Sequence, residues 1–190
     1  MRTVQWKWCA EVPRNSASEV EVKAGKKEGV MKVKEVMMGT PYYTSLEANL
    51  GIATELMWKG NCGFLPVVDA ENKVCGVITD RDICVALGTR NQTAGDVRVE
   101  EVVQRKVFAC NPEDDVHICL QTMREGHVRR LPVVDYNGNL TGVVSMDDLL
   151  MRAEPNRVGR EPELSAEEVV RGYRTIMHKD LPVSVKRVAA

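Results

Sequence analysis

Two pairs of residues combine a hydroxyl group with a carboxyl group three positions later, Thr79 with Asp82 and Ser145 with Asp148. Each pair stands at the predicted start of a helix. A hydroxyl followed by an acid at this spacing is the pattern of a capping box, and capping alone would explain either pair. Ligand binding is the other interpretation, because free N–H groups at a helix N-terminus attract phosphate and a carboxylate one turn later can accept bonds from two ribose hydroxyls. The pattern alone leaves both interpretations open.

Both pairs belong to an internal repeat with an offset of 66 residues. The five residues from Leu65 to Asp69 recur unchanged from Leu131 to Asp135, and no gap is needed over residues 35–83. So many matches in one register indicate a duplicated unit of roughly 55 residues. We call the two copies unit one and unit two. Further residues that recur at this offset are Glu35, Val36, Ile52, Met57, Gly60, Gly76, Val77 and Asp82.

Each unit has the same predicted order of elements: strand, helix, strand, strand, helix. Apolar residues at helical spacing mark the first helix of each unit, and Gly60 and Gly126 follow these helices where a left-handed residue is favoured. Asn137-Gly138 between two apolar runs predicts a hairpin. The second helices begin near Thr79 and Ser145. The strands are predicted at residues 42–44, 65–68 and 74–78, and at residues 107–110, 131–134 and 140–144.

Composition and charge exclude several classes of protein. The chain has 26 basic and 27 acidic residues, without the basic excess of a general nucleic-acid binder. No apolar run approaches the roughly 20 residues of a membrane helix, and residues 1–12 lack the apolar core of a signal peptide. None of the six cysteines forms a C-x-x-C pair, which favours buried, reduced thiols over a metal site. We therefore expect a cytoplasmic protein with no nucleic-acid or membrane partner and no metal.

The sequence contains no recognisable catalytic motif. Its three histidines are His117, His127 and His178, and no G-x-S-x-G, Walker A or H-E-x-x-H pattern occurs. We therefore expect no catalytic residues and no intrinsic enzymatic activity.

The two units closely resemble the CBS-domain family, in the tandem arrangement often called a Bateman module. The resemblance covers about residues 34–153 and rests on Leu-Pro-Val-Val-Asp in both units. It also rests on Gly-Val-Ile-Thr-Asp-Arg-Asp at 76–82, Gly-Val-Val-Ser-Met-Asp-Asp at 142–148, and His-Val-Arg-Arg-Leu-Pro at 127–132. Members often carry Met-Thr before the first strand, where this chain has Met37-Met38 and Val103-Gln104.

The resemblance implies an α+β fold of two tandem CBS domains, each β-α-β-β-α. The domains should pack sheet to sheet with pseudo-two-fold symmetry and leave a cleft on each side of their interface. The chain is then divided into an N-terminal arm at 1–33, CBS domain one at 34–97, CBS domain two at 98–154, and a C-terminal tail with a helix at 155–190.

The resemblance also implies a ligand. Family members typically bind AMP, ADP, ATP or S-adenosyl compounds such as S-adenosylmethionine, and some bind other ligands or none. By resemblance, Asp82 and Asp148 hold the ribose, while Thr79 and Ser145 face the phosphate. The remaining predicted ligand-binding residues are Arg81, Arg129, Arg130, Tyr42 and Phe108.

Four of these additional residues have a second interpretation. The three arginines could be ordinary solvated surface cations, and the ring of Tyr42 could stack on adenine or block it. At the positions of Arg129 and Arg130, unit one has Gly63 and Phe64, which carry no charge. We therefore expect the two clefts to differ in their preference for charged ligands.

Three functional hypotheses follow. The leading one is a regulatory module that binds an adenine nucleotide and signals to a separate, unknown protein target. The alternatives are a constitutive dimerisation or scaffold module with empty clefts, and an enzyme subunit whose chemistry lies elsewhere. We also expect a homodimer, because the helix surface near Ile83, Val85, Ala86 and Leu87 is apolar.

The two ends of the chain give further expectations. Val4, Trp6 and Trp8 alternate with polar residues and predict a strand. Ser165 and Glu168 form a capping-box pattern before a predicted amphipathic helix over residues 166–177. This helix should pack on its own module or on a second copy, since an isolated helix of about 12 residues is marginal in water.

Overall fold

The computed structural model describes residues 30–156 and 162–177. Unit one comprises five elements: β1 (Thr44–Ser45), α2 (Leu50–Lys59), β2 (Phe64–Val68), β3 (Val74–Thr79) and α3 (Asp80–Arg90). Strand β1 pairs with β2 in parallel, and β2 pairs with β3 as an antiparallel hairpin. Several residues singled out above lie outside the described ranges: Val4, Trp6, Trp8, Cys9 and His178.

Unit two repeats this order. It comprises α4 (Val116–Gly126), β4 (Arg130–Val134), β5 (Leu140–Ser145) and α5 (Met146–Arg152). Strands β4 and β5 form the predicted antiparallel hairpin, with Gly138 at its turn. The first strand is reduced to one parallel bridge between Cys110 and Val133, at the positions equivalent to Thr44 and Val67 in unit one. The predicted α+β fold is therefore confirmed.

The prediction for the two helix-terminal glycines is wrong. Gly60 has φ −83°, in the right-handed region, and Gly126 is the last residue of α4. The left-handed residues follow directly, at Asn61 (φ 44°) and His127 (φ 49°). Glycine is instead required by the close approach of an aromatic ring, that of Tyr42 at Gly60 and that of Phe108 at Gly126.

The segment that precedes each unit packs into the core of the other unit. Helix α1 (Val33–Val36) buries two valines in the cluster of unit two. The 3-10 helix Val99–Glu101 buries Val99 in the cluster of unit one. We call residues 32–38 and 98–104 the exchanged segments.

Backbone hydrogen bonds fix both exchanged segments. The N–H of Met38 donates to the carbonyl of Val143 over 2.8 Å, and the N–H of Val143 donates back over 3.0 Å. Val77 and Gln104, at the equivalent positions, form the same pair over 3.0 and 2.9 Å. Each exchanged segment therefore adds one bridge to the hairpin of the opposite unit.

The two hairpins also meet each other at their turns. The N–H of Val74 donates to the carbonyl of Gly138, and the N–H of Leu140 donates to the carbonyl of Asn72, both over 3.1 Å. At the 66-residue offset, Val74 is equivalent to Leu140 and Asn72 is equivalent to Gly138, so the two bonds are equivalent as well. The two units are thus related by a pseudo-two-fold axis that passes between the hairpin turns.

Helix α6 (Ala166–Met177) covers the helices of unit two, and its contacts are with α4 and α5. Val169 and Ile176 are buried in the cluster of unit two. At the start of the helix, Glu168 lies 3.3 Å from Nε2 of His117, whose Nδ1 lies 2.7 Å from Asp115. The amphipathic helix therefore packs on its own module. The division of the chain at residues 97/98 and 154/155 stays a prediction.

None of the five cysteines within the described ranges forms a disulfide bond. Cys110 and Cys119 are buried in the cluster of unit two, and the hydrogen bond between the two thiols, together with burial, raises the pKa of Cys110. Cys84 is exposed, contrary to the expectation of buried thiols, because it lies on the outer side of α3. Over the part of the chain that the structure describes, no helix has the length and apolar character to cross a membrane.

The packing of the exchanged segments predicts that Gly142 tolerates no side chain. A Cβ atom there would lie 2.8 Å from the carbonyl oxygen of Met38, which is backbone and cannot rotate away. We expect Gly142→Ala to lower the free energy of unfolding by about 1–3 kcal/mol, as overpacking does.

Gly88→Ala is the matched control, because a Cβ at this helical glycine meets nothing within 4 Å. We expect this control to be neutral or to stabilise by up to about 1 kcal/mol through helix propensity. Chemical denaturation measures both variants, and equal stabilities for the two would contradict the account of the exchange.

Candidate functional site

Both predicted capping boxes are present. In unit one, Oγ1 of Thr79 accepts from the N–H of Asp82 over 3.2 Å, and the N–H of Thr79 donates to Oδ2 of Asp82 over 3.0 Å. In unit two, Ser145 and Asp148 make the same bonds over 3.2 and 2.8 Å. Each hydroxyl also donates to the same Oδ2 oxygen, over 2.7 and 2.6 Å. The boxes therefore satisfy one carboxylate oxygen in each unit and hold the carboxylate in a fixed orientation.

The second carboxylate oxygen differs between the two units. Oδ1 of Asp82 accepts a hydrogen bond from Nε2 of Gln104 over 3.3 Å. The residue equivalent to Gln104 is Met38, whose thioether cannot donate. Within residues 30–156 and 162–177, Oδ1 of Asp148 has no hydrogen-bond partner. The half-buried Asp148 is therefore the carboxylate with an unused acceptor.

Arg129 is held by the C-terminal helix. Its NH1 group donates to the hydroxyl of Tyr173 over 3.2 Å. This bond raises the pKa of Arg129, and the nearby carboxylates of Asp147 and Asp80 add to the effect. Since Asp147 lies in the first turn of α5 and Asp80 in the first turn of α3, Arg129 faces both units.

The other two predicted arginines have fewer contacts. Arg130 is half-buried, and Arg81 is exposed at the start of α3. Within the described part of the chain, neither side chain forms a hydrogen bond or an ion pair. Arg130 is therefore a free cation beside Arg129, while Arg81 lies on the surface of unit one.

The position equivalent to Arg129 in unit one is Gly63, which lies against the carboxylate of Asp80. A Cβ atom at Gly63 would collide with the carboxylate of Asp80. The next residue, Phe64, is 9% exposed and begins β2. At this position unit one therefore has the carboxylate of Asp80 next to a glycine, where unit two has an arginine.

A small cavity lies next to the two arginines of unit two. It has room for about one water molecule. Arg129 and Tyr173, which are hydrogen-bonded to each other, both line it. The remaining lining residues are Arg130, Met146 and Asp147.

The two predicted aromatic residues occupy equivalent positions against helix ends. A Cβ atom at Gly60 would lie 2.7 Å from the ring of Tyr42, and one at Gly126 would lie 2.8 Å from the ring of Phe108. Nζ of Lys106 stands 5.0 Å from the centroid of the Phe108 ring. The structure thus places both rings on the C-terminal ends of α2 and α4, where their packing is accounted for without a ligand.

Sequence reasoning missed two residues of the site. Gln104 was visible only as a departure from the Met-Thr of the family, with no indication that its amide contacts Asp82. Tyr173 lies within the amphipathic helix predicted over residues 166–177, with no indication that its hydroxyl contacts Arg129. Both contacts join residues that are distant in sequence, 22 positions apart for Gln104 and 44 for Tyr173.

A family model described as "CBS domain" matches the chain twice, at residues 33–89 and 99–154. The chain belongs to the CBS-domain family. The two matches correspond to the two units of the repeat, and the predicted tandem pair is confirmed.

Curated relatives include a protein described as CBS domain-containing and also enzymes. The CBS domain-containing protein YhcV of Bacillus subtilis is 32% identical over 124 residues, which are 65% of this chain and 86% of that protein. Inosine-5′-monophosphate dehydrogenase of Methanocaldococcus jannaschii is 30% identical over 151 residues, which are 79% of this chain and 29% of the enzyme. The chain spans less than two thirds of several curated relatives, and most of the dehydrogenase lies outside the match.

Among solved structures, the chain is similar to the CBS domain pair of protein MJ0100, in complex with 5′-methylthioadenosine and S-adenosyl-L-methionine. The TM-score is 0.58 at 26% identity, and the match covers 64% of this chain and 98% of that chain. A CBS pair with the same fold therefore binds adenosyl compounds.

The capping geometry predicts a stability loss at both acids. We expect Asp82→Ala and Asp148→Ala each to lower the free energy of unfolding by about 1 kcal/mol, the usual effect of losing a helix cap. Asp82→Ala should be the more destabilising variant, because it also removes the acceptor of Gln104.

Asp147→Ala is the control, since Asp147 lies in the same turn as Asp148 but makes no capping bond. Chemical denaturation of the three variants checks the prediction. If Asp147→Ala lost as much stability as Asp148→Ala, the effect would reflect first-turn charge rather than capping.

Proposed function

We propose that the protein is a regulatory module that binds an adenine nucleotide or an S-adenosyl compound in the cleft of unit two and signals its presence to a separate protein target. AMP, ADP, ATP and S-adenosylmethionine are the candidate ligands.

The carboxylate of Asp148 is the observation that carries this proposal. Its Oδ2 is held by Ser145, so the group has a fixed orientation, while its Oδ1 lacks a partner in the described part of the chain. This oxygen is open to solvent and is therefore available to accept a hydrogen bond from a ribose hydroxyl in place of water. Hydrogen bonds to charged groups contribute about 1.5–3 kcal/mol each.

The arginines beside Asp148 would serve the rest of a nucleotide. Arg130 is unpaired and adjacent to Arg129. A phosphate at the unpaired guanidinium group of Arg130 would make charge-assisted hydrogen bonds. Unit two therefore offers both an acceptor for ribose and donors for an anionic group.

The resemblance to a CBS pair that binds 5′-methylthioadenosine and S-adenosyl-L-methionine supports the adenosyl part of the ligand. We propose that this chain also binds an adenosyl compound, without choosing between these two compounds.

The cleft of unit one is less well equipped for the same ligand. Both oxygens of Asp82 already have partners, from Thr79 and Gln104. The positions of the two arginines hold Gly63 and Phe64. We therefore propose that unit two binds the ligand more tightly than unit one.

We propose that the protein acts by binding a separate target protein and not by catalysing a reaction. We retain the predicted cytoplasmic location and the absence of a nucleic-acid partner as parts of the proposal. The match to the dehydrogenase is consistent with a regulatory role, because it covers 29% of that enzyme and leaves most of the enzyme outside the match.

We also propose that two copies associate, although the surface first predicted for this contact is not the one available. Ile83 and Ala86 are buried in the core of unit one, and of the predicted set only Val85 is strongly exposed, at 55%. Ile52 and Trp58 on α2 are exposed as well.

Light scattering at micromolar concentration should give the mass of a dimer, and the mass of one chain would contradict association.

The ribose role predicts a specific binding defect. We expect Asp148→Ala to weaken binding of AMP or S-adenosylmethionine by about 10–100-fold, equivalent to roughly 1.4–2.8 kcal/mol, because it deletes the acceptors for the ribose hydroxyls. Isothermal titration calorimetry measures the affinity. Melting curves recorded on the same samples show whether the variant remains folded.

Asp82→Ala is the matched control, since it removes the equivalent capping acid from the cleft whose carboxylate is already satisfied. We expect it to lose stability but little affinity. If Asp148→Ala bound every adenosine compound as tightly as the parent, the carboxylate would be a cap only. If the parent bound none of them, the scaffold hypothesis with empty clefts would replace the proposal.

A further inference from the structure

Tyr173 connects the C-terminal helix to a candidate phosphate contact. Its hydroxyl accepts the hydrogen bond from NH1 of Arg129 over 3.2 Å. It also lines the small cavity next to Arg129 and Arg130. An oxygen atom from the protein thus takes one of the five N–H donors of Arg129, for which a phosphate oxygen would compete.

Two contacts hold Tyr173 in this position. The preceding residue, Gly172, is buried, and a Cβ atom there would lie 2.7 Å from Cδ1 of Leu120, so α6 and α4 approach closely at this point. One turn earlier, Glu168 contacts His117 on α4. The tyrosine is therefore presented by a helix that is fixed on unit two rather than by a loose tail.

Two carboxylates lie near Arg129. Asp147 and Asp80 act on the guanidinium group together with the tyrosine. A phosphate that approached Arg129 would compete with the tyrosine for one of the arginine's N–H donors and would also meet two carboxylates. The cavity there has room for about one water molecule, which is less than a phosphate group needs.

We propose that Tyr173 is a specificity-determining residue of the cleft in unit two, which disfavours adenosine compounds with a 5′-phosphate relative to those without one. This inference rests on the proposed function of the cleft, and it concerns the ligand's 5′ substituent rather than its ribose. Tyr173 acts by occupying Arg129, so it is a positioning residue and need not touch the ligand.

Tyr173→Phe tests the proposal, because it removes the hydroxyl and keeps the ring that packs on unit two. The probes are AMP and adenosine, which share the base and the ribose and differ in the phosphate. We expect AMP to bind about threefold to tenfold more tightly to Tyr173→Phe than to the parent, the value of one released hydrogen bond. Adenosine should bind both proteins equally.

Tyr136→Phe is the matched control, since Tyr136 is 88% exposed in the turn between β4 and β5. It should leave the affinities for both probes unchanged. Calorimetry gives the ratio of the AMP and adenosine affinities for each protein, and a purely structural role of the tyrosine would move both affinities together.

Three results would overturn the inference: an unchanged ratio in Tyr173→Phe, weaker AMP binding in that variant, or the same gain in Tyr136→Phe. Weaker AMP binding would mean that the tyrosine hydroxyl assists the phosphate instead of competing with it. These results differ from failure of the proposed function, in which the parent protein binds neither adenosine nor AMP.

Discussion

The structure depends on the exchange of leading segments between its two units. Val33 and Val36 are buried in unit two, Val99 is buried in unit one, and paired backbone hydrogen bonds hold each segment on the opposite hairpin. Each unit is too small to bury both faces of its sheet, and the exchange supplies the missing apolar surface. Since neither unit completes its own core, the two must fold as a pair, and the relative orientation of the candidate site residues is set by this exchange.

The same exchange distinguishes the two sites. The residue that bridges to β3 is Gln104, and its amide satisfies the second oxygen of Asp82. The residue that bridges to β5 is Met38, which has no donor to offer Asp148. A pseudo-symmetric backbone therefore carries two chemically different carboxylates. Helix α6 adds a second asymmetry, because it covers unit two alone within the described ranges and brings Tyr173 to Arg129.

Much of the fold and the polar pairs of the site could be predicted from the sequence, because they rest on local patterns. The 66-residue repeat located the hairpins and helices, and the spacing of Ser145 and Asp148 predicted a capping box that the structure contains. The exchange of segments could not be predicted, since it joins residues far apart in the chain. The glycine at position 60 was misassigned for the same reason: its neighbour, the ring of Tyr42, comes from another element. Local sequence patterns identify the polar groups of the site, whereas tertiary packing decides which of these groups lack a hydrogen-bond partner.

The central claim is that Asp148 offers its free oxygen to the ribose of an adenosyl ligand. A crystal structure of the full chain grown with saturating adenosine or S-adenosylmethionine tests it most directly. The account predicts ligand density in the cleft of unit two, with a ribose hydroxyl within hydrogen-bond distance of Oδ1 of Asp148 and with the Ser145 capping bonds retained. An empty cleft at saturating ligand, or a ligand whose ribose lies away from Asp148, would contradict it.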